Sequence, residues 1–260
     1  MRPERWLACL VAAAVLGGCA SDPTVQRPAR GPQTSEGNAN AASLHVEMGR
    51  AYLQRGDLRT AQDRLQRALQ LDPRSTDAHT VIAVLNEKID RREVAERHYR
   101  RAVDLKPDDG ALNNNYGQFL CRQGRFDEAD RRFRAAVDDP FYETPALAFT
   151  NAGVCAFKAG RIEAAEAYLR RSLELDADQP DVLLDLARIH VGKREPLRAR
   201  AFLQRYEAAA GSAPDALELG VLIEEALGDS VAADRYRNRL RQDFPEHGRQ
   251  NQLQGEPVQQ

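Results

Sequence analysis

The chain has 260 residues, with 37 Lys and Arg against 39 Asp and Glu, and only 6% of its residues are aromatic. A balance this close to zero leaves no field strong enough to recruit nucleic acid or an anionic lipid surface. Few aromatic residues and few β-branched runs speak against a sheet protein, whereas abundant Ala, Leu, Arg, Glu and Gln favour helices.

Residues 1–18 read as a secretory signal. Arg2 and Arg5 supply the positive start, and the run from Trp6 to Gly18 is apolar. It is too short to span a bilayer, which takes about 20 apolar residues, but it fits the apolar core of a signal peptide. Gly17 and Gly18 then stand directly before Cys19. The four residues Leu16, Gly17, Gly18 and Cys19 resemble the lipobox of bacterial lipoproteins. That resemblance implies a diacylglycerol on the Cys19 thiol, cleavage before Cys19, and a third acyl chain on the amine so exposed. One acyl chain binds a membrane reversibly, but two or three hold a protein there essentially permanently. Ala20, not Asp, follows the cysteine, which in the lipoprotein sorting pattern implies delivery to the outer membrane, on its periplasmic face. Loss of the signal leaves 35 basic against 38 acidic residues.

Residues 19–41 are rich in Pro, Gly, Ser and Asn, without a periodic apolar face, and read as a flexible tether. A chain of this length has an r.m.s. span of ~25 Å, enough to hold a domain just clear of the membrane. From residue 42 to 246 a pattern recurs six times at a spacing close to 34 residues. Small residues mark one place in each first helix (Gly49, Ala83, Gly117, Gly153, Ala187), where a second helix must approach closely. Ala61, Ala95, Ala129, Ala165, Ala199 and Ala233 answer from the second helices. Gly56, Gly124, Gly160 and Gly228 suit the turn between helices, and Pro73, Pro107 and Pro245 end repeats, since proline cannot continue a helix interior. This is the period of the tetratricopeptide repeat, and it predicts an all-α, right-handed superhelical solenoid of about six helix pairs, each too small to bury its apolar face alone. Two residues are inserted within "DDPFYETPA", between repeats three and four. Gly192, Pro196 and Gly220 depart from the pattern in repeats five and six. Residues 247–260 lack periodicity and read as a disordered tail.

No catalytic or metal constellation stands out. His45, His79 and His190 fall at framework places and read as packing residues, His98 lies on a second helix, and His247 is in the tail. No Cys/His cluster has metal-ligand spacing, and the Arg runs alternate with acids as on a solvated helix face. Neither an enzyme nor a cofactor, nucleic-acid or small-molecule site is expected. What remains is the concave groove that the first helices of such an array line. Its expected places are Val46, Arg50 and Leu53 in repeat one, Asn114, Gln118 and Cys121 in repeat three, and Thr150, Val154 and Phe157 in repeat four. Apolar residues there, Val46 and Leu53 above all, suggest a peptide-like ligand. Asn115 and Asn151 share an equivalent place, and an indifferent helix former reused there suggests hydrogen bonding, either to a ligand or within the array.

Cys9 leaves with the signal, so Cys121 and Cys155 remain beside the lipidated Cys19. The periplasm permits a disulfide between them. Cys155, however, sits two places earlier in its repeat than Cys121, which opposes a bond needing Cα atoms within roughly 7 Å. Two small buried free thiols are the alternative.

The run from Asn113 to Leu173 carries "NNYG" (Asn114 to Gly117) and the inter-repeat group Asp139, Pro140, Phe141, Tyr142. With the lipobox, the tether and six repeats, it resembles the type IV pilus biogenesis/stability lipoproteins, the PilF/PilW pilotin family. The resemblance implies a non-enzymatic outer-membrane factor that helps the type IV pilus secretin reach the outer membrane and assemble its multimer. The acyl chains on Cys19 would supply the membrane address and the groove would hold the secretin subunit. A rival of another class is an adaptor lipoprotein for peptidoglycan hydrolases or outer-membrane protein assembly. It shares the tether and repeats but not "NNYG" or the Asp-Pro-x-Tyr group.

Overall fold

The computed structural model describes residues 35–246, which form twelve α-helices and no strand. They are α1 (Ser35–Gln54), α2 (Leu58–Leu71), α3 (Thr76–Lys88), α4 (Arg92–Leu105), α5 (Gly110–Arg122), α6 (Phe126–Asp138), α7 (Pro145–Lys158), α8 (Ile162–Leu175), α9 (Pro180–Gly192), α10 (Pro196–Ala210), α11 (Pro214–Leu227) and α12 (Ser230–Asp243). Odd-numbered helices are the first of each pair and even-numbered ones the second. Among the described residues no helix is long and apolar enough to cross a membrane. Cys19, the signal, His247 and the tail lie outside the described residues.

The two helix types bury different amounts of surface, and this makes the array a solenoid. α2 buries Ala61, Leu65 and Ala68, and α6 buries Ala129, Phe133 and Ala136, a single stripe at helical spacing. α5 buries Leu112, Asn113, Asn114, Tyr116, Gly117, Phe119 and Leu120, because it is enclosed by its own partner and by neighbouring repeats. The core therefore runs along the array. One cluster joins Ala95 and Tyr99 of repeat two to Phe119 and Phe133 of repeat three and Ala152 and Cys155 of repeat four. No pair closes a core of its own.

The small residues act as the spacing implies. A Cβ on Gly49 would lie 2.6 Å from Leu65, and one on Gly153 2.6 Å from Leu169. Gly220 has the same relation to Tyr236, also at 2.6 Å. It is the sixth repeat's counterpart, hidden because it comes 33 rather than 34 residues after Ala187. Five glycines hold positive φ, but in repeats two and five the turn position is taken by Asp90 (φ 56°) and Arg194 (φ 59°). Each costs about 1 kcal/mol relative to glycine.

One boundary needs correction. α1 begins at Ser35, so residues 35–41, read as the end of the tether, are helical. Ala42 is fully buried against the first repeat, and a helix anchored there extends backwards at little cost per residue. Gly37, Asn38 and Asn40 lower the propensity of that turn without stopping it.

Candidate protein-binding groove

Two of the expected groove residues are core. Val46 is 2% and Leu53 8% exposed, packed with Ala42, Leu65, Val81, Ile82 and Leu85. Ala42, Val46, Gly49 and Leu53 form the buried stripe of α1. α1 meets both α2 and α3, and the places of Val46 and Leu53 turn toward α3 rather than into the concavity. Arg50, one residue beyond the small framework position, is exposed, with Glu47 3.9 Å away.

In repeats three and four the expected residues divide. Asn114 is 3% exposed, and its Oδ1 accepts a hydrogen bond from Asn151 Nδ2 at 3.0 Å. This pair ties α5 to α7 within the array, so Asn114 is not free to meet a ligand. Thr150 is likewise committed, to Ser172 at 2.8 Å and Gln179 at 3.1 Å. Asn115 and Gln118 are half-buried, as is Val154, while Phe157 is 45% exposed. Leu147, at the first turn of α7, is 48% exposed and lies seven and ten residues before Val154 and Phe157, on one helical face. It was missed in the sequence because the insertion hides where α7 begins. Val84 on α3, 42% exposed, holds the repeat place of Gln118 and Val154. The face that these first helices leave exposed or half-buried is therefore apolar at α7 and α3 and polar at α5.

Cys121 of α5 and Cys155 of α7 are joined by a disulfide with their Cα atoms 5.7 Å apart. The two-place register offset therefore does not keep the Cα atoms beyond the reach of a bond. The bond lies beside Phe119, Phe133 and Ala152.

The tetratricopeptide repeat model matches residues 46–110, 87–143 and 117–180, and a second one matches 156–219. The type IV pilus assembly protein PilF of Pseudomonas aeruginosa is 30% identical over 82% of this chain and 84% of its own length. The chain belongs to the PilF/PilW family of type IV pilus biogenesis factors. The solved structure of P. aeruginosa PilF superimposes with a TM-score of 0.73, over 85% of this chain and all of that one. The crystal structure of PilW, a type IV pilus biogenesis factor, superimposes with 0.71 at 33% identity, over 78% of this chain and 94% of that one.

In this PilF/PilW-family solenoid, charged side chains bridge successive repeats. Arg122 reaches Glu87, Arg125 reaches Glu96 at 2.6 Å, Arg161 reaches Asp127 at 2.6 Å, and Lys193 reaches Glu166 at 2.7 Å. Lys193, with Arg170 beside it, holds the Glu166 carboxyl down at about 2. The same knot holds a histidine flanked by carboxylates. His190 Nδ1 is 2.7 Å from Glu195 and its Nε2 3.5 Å from Glu166, with the ring stacked on Phe202. Such a constellation could serve acid–base chemistry, but His190 is 0% exposed and no substrate can reach it. Among the described residues no group of three or more His, Cys, Asp or Glu is placed to hold a metal ion.

His79 and His98 form a second, half-buried contact in this family member, Nδ1 to Nδ1 at 2.9 Å, with His79 Nε2 3.3 Å from the Pro73 carbonyl. A proton on each ring would place two cations side by side. Burial first, then His79 and Arg97, push the His98 imidazole down to about 4, and burial lowers His79 as well. The unfolded chain takes up these protons near pH 6.5, so stability present at neutral pH is lost as pH falls from there toward 4. After allowance for solvent screening, the loss is about 1–2 kcal/mol. Urea midpoints should fall between pH 7 and pH 5 in the wild type and much less in His98→Gln. Equal slopes would show that the pair is not the cause.

Proposed function

We propose that this chain is a lipid-anchored pilotin. Acyl chains on Cys19 hold it to the outer membrane, and its concave groove holds a subunit of the type IV pilus secretin during delivery and multimer assembly. Membership of the PilF/PilW family supports the pilus role. The observation that carries the groove reading is the apolar stripe Leu147, Val154 and Phe157 on α7, two of whose members stand nearly half exposed. Solvated apolar side chains in a concavity are the common anchor for an apolar segment of a partner. The half-buried amide of Gln118 supplies polar contact to its backbone.

The test is Leu147→Glu with Phe157→Glu. Both side chains face solvent, so helicity and melting should stay near wild type, as surface substitutions usually cost within about 0.5 kcal/mol. Secretin co-purification and the yield of secretin multimers in the outer membrane should drop at least tenfold, by analogy with the loss of a central apolar anchor. Wild-type multimer yield from the folded double variant would refute the groove as the holder.

A further inference from the structure

Phe141 is 89% exposed, more than any other large apolar side chain among the described residues. Its exposure is built into the turn. The Asp139 carboxylate accepts from the N–H of Gly110 at 2.8 Å and from the N–H of Phe141 at 2.9 Å, fixing the turn to the start of α5. Tyr142 turns the other way and seats on Gly110, where any Cβ would lie 2.6 Å from the tyrosine Cβ. With its neighbour anchored inward, the phenyl ring of Phe141 is held outward. The other inter-repeat turns, at 72–75, 106–109, 176–179 and 211–213, hold no aromatic residue.

Phe141 stands between two open depressions. One, of about 440 Å³, is lined by Pro107, Asp108, Ala135 and Asp138, and the other, of about 450 Å³, by Ala111, Tyr142 and Glu143. No basic side chain lines either one. Asp109 and Asp139 are used within the fold, the first as the cap of α5. Asp108, Asp138 and Glu143 are exposed and have no hydrogen bond or ion pair among the described residues. Elsewhere in the solenoid, Glu87, Asp127, Glu166 and Glu207 are each paired with a basic side chain of the next repeat: Arg122, Arg161, Lys193 and Arg239.

We propose that this joint is a second docking site, separate from the groove, for a partner-protein segment that carries an apolar side chain flanked by arginine or lysine. The apolar group packs on Phe141 within the two depressions, and the cations pair with Asp108, Asp138 and Glu143. Aromatic side chains ringed by polar groups dominate binding energy at many protein interfaces, and the acidic rim selects the sign of the partner and speeds its approach. The assignment stands whether or not the groove holds a secretin.

The probe is a short fluorescent peptide with leucine flanked by arginines, titrated against the full chain in uncharged detergent. Two controls accompany it: the same peptide with glutamates for arginines, and one with serine for leucine. The basic, apolar peptide should bind saturably, and more weakly as salt screens the rim. Phe141→Ser should weaken it about tenfold or more, and the pair Asp138→Asn with Glu143→Gln should flatten its salt dependence. Phe157→Glu, in the groove, should leave it unchanged. Circular dichroism checks that each variant is folded. The proposal fails if no saturable binding occurs, if the glutamate or serine peptide binds as well, or if folded Phe141→Ser binds like wild type. It fails equally if Phe157→Glu removes the binding, since the peptide would then occupy the groove.

Discussion

Cys19→Ala should leave a folded repeat domain that no longer fractionates with the outer membrane, with outer-membrane secretin multimers falling severalfold or more. Each buried CH₂ of an acyl chain contributes about 0.8 kcal/mol, so one chain gives marginal binding and two or three make release negligible. No helix among the described residues can span a bilayer, and a near-neutral balance of 37 basic to 39 acidic residues offers little attraction to anionic lipid. The repeats do not include Cys19, so the variant should keep the wild-type melting curve. Separation of membranes on a density gradient, with secretin detected in each fraction, decides the matter. A variant still found with the outer membrane would disprove the anchor.

The second large effect is on stability. Replacing Cys121 and Cys155 together by serine should cost about 3 kcal/mol, from the added freedom of the unfolded chain once a 34-residue link is opened. In a domain of this size that lowers the melting temperature by about 6–12 °C. The loss should be local as well, since repeat arrays need not unfold as one unit. Amide exchange should quicken most in α5 to α8, on either side of the insertion, and least in α1 and α12. Tagging thiols with a mass reagent in the denatured, unreduced protein is the direct check. Two tags there would refute the bond, whereas two tags only after reduction would support it.

Most of the fold was legible because helix approach is governed by side-chain size, and size shows in the sequence. Ala61, Ala95, Ala129, Ala165, Ala199 and Ala233 are all fully buried. What escaped reading depended on neighbours. Whether Val46 faces a groove or α3 is set by how α1 lies between two partners, which one helix's periodicity does not contain. Asp90 and Arg194 adopt a left-handed turn because the flanking helices fix it, so their side chains give no warning. The groove was half legible. Phe157 and Val154 followed from repeat register, but Leu147 required the start of α7, and the bond between Asn114 and Asn151 required the side-chain packing of two helices against each other. Phe141 is, in the sequence, only a member of the Asp-Pro-x-Tyr group, since nothing in the letters distinguishes an outward aromatic from Tyr142 beside it.

The disulfide also changes how the array bears load. Because each repeat touches mainly its neighbours, pulling on the chain ends peels helix pairs away one after another. The oxidised bond stops that peeling at the centre: the segment between its cysteines, which are 34 positions apart, cannot lengthen under tension. Reduction frees about 110 Å of additional contour. The array is thus a spring with compliant ends and an inextensible middle, in which the outward Phe141 and Leu147 and Val154 of α7 lie between the two cysteines and keep their geometry while the outer repeats yield.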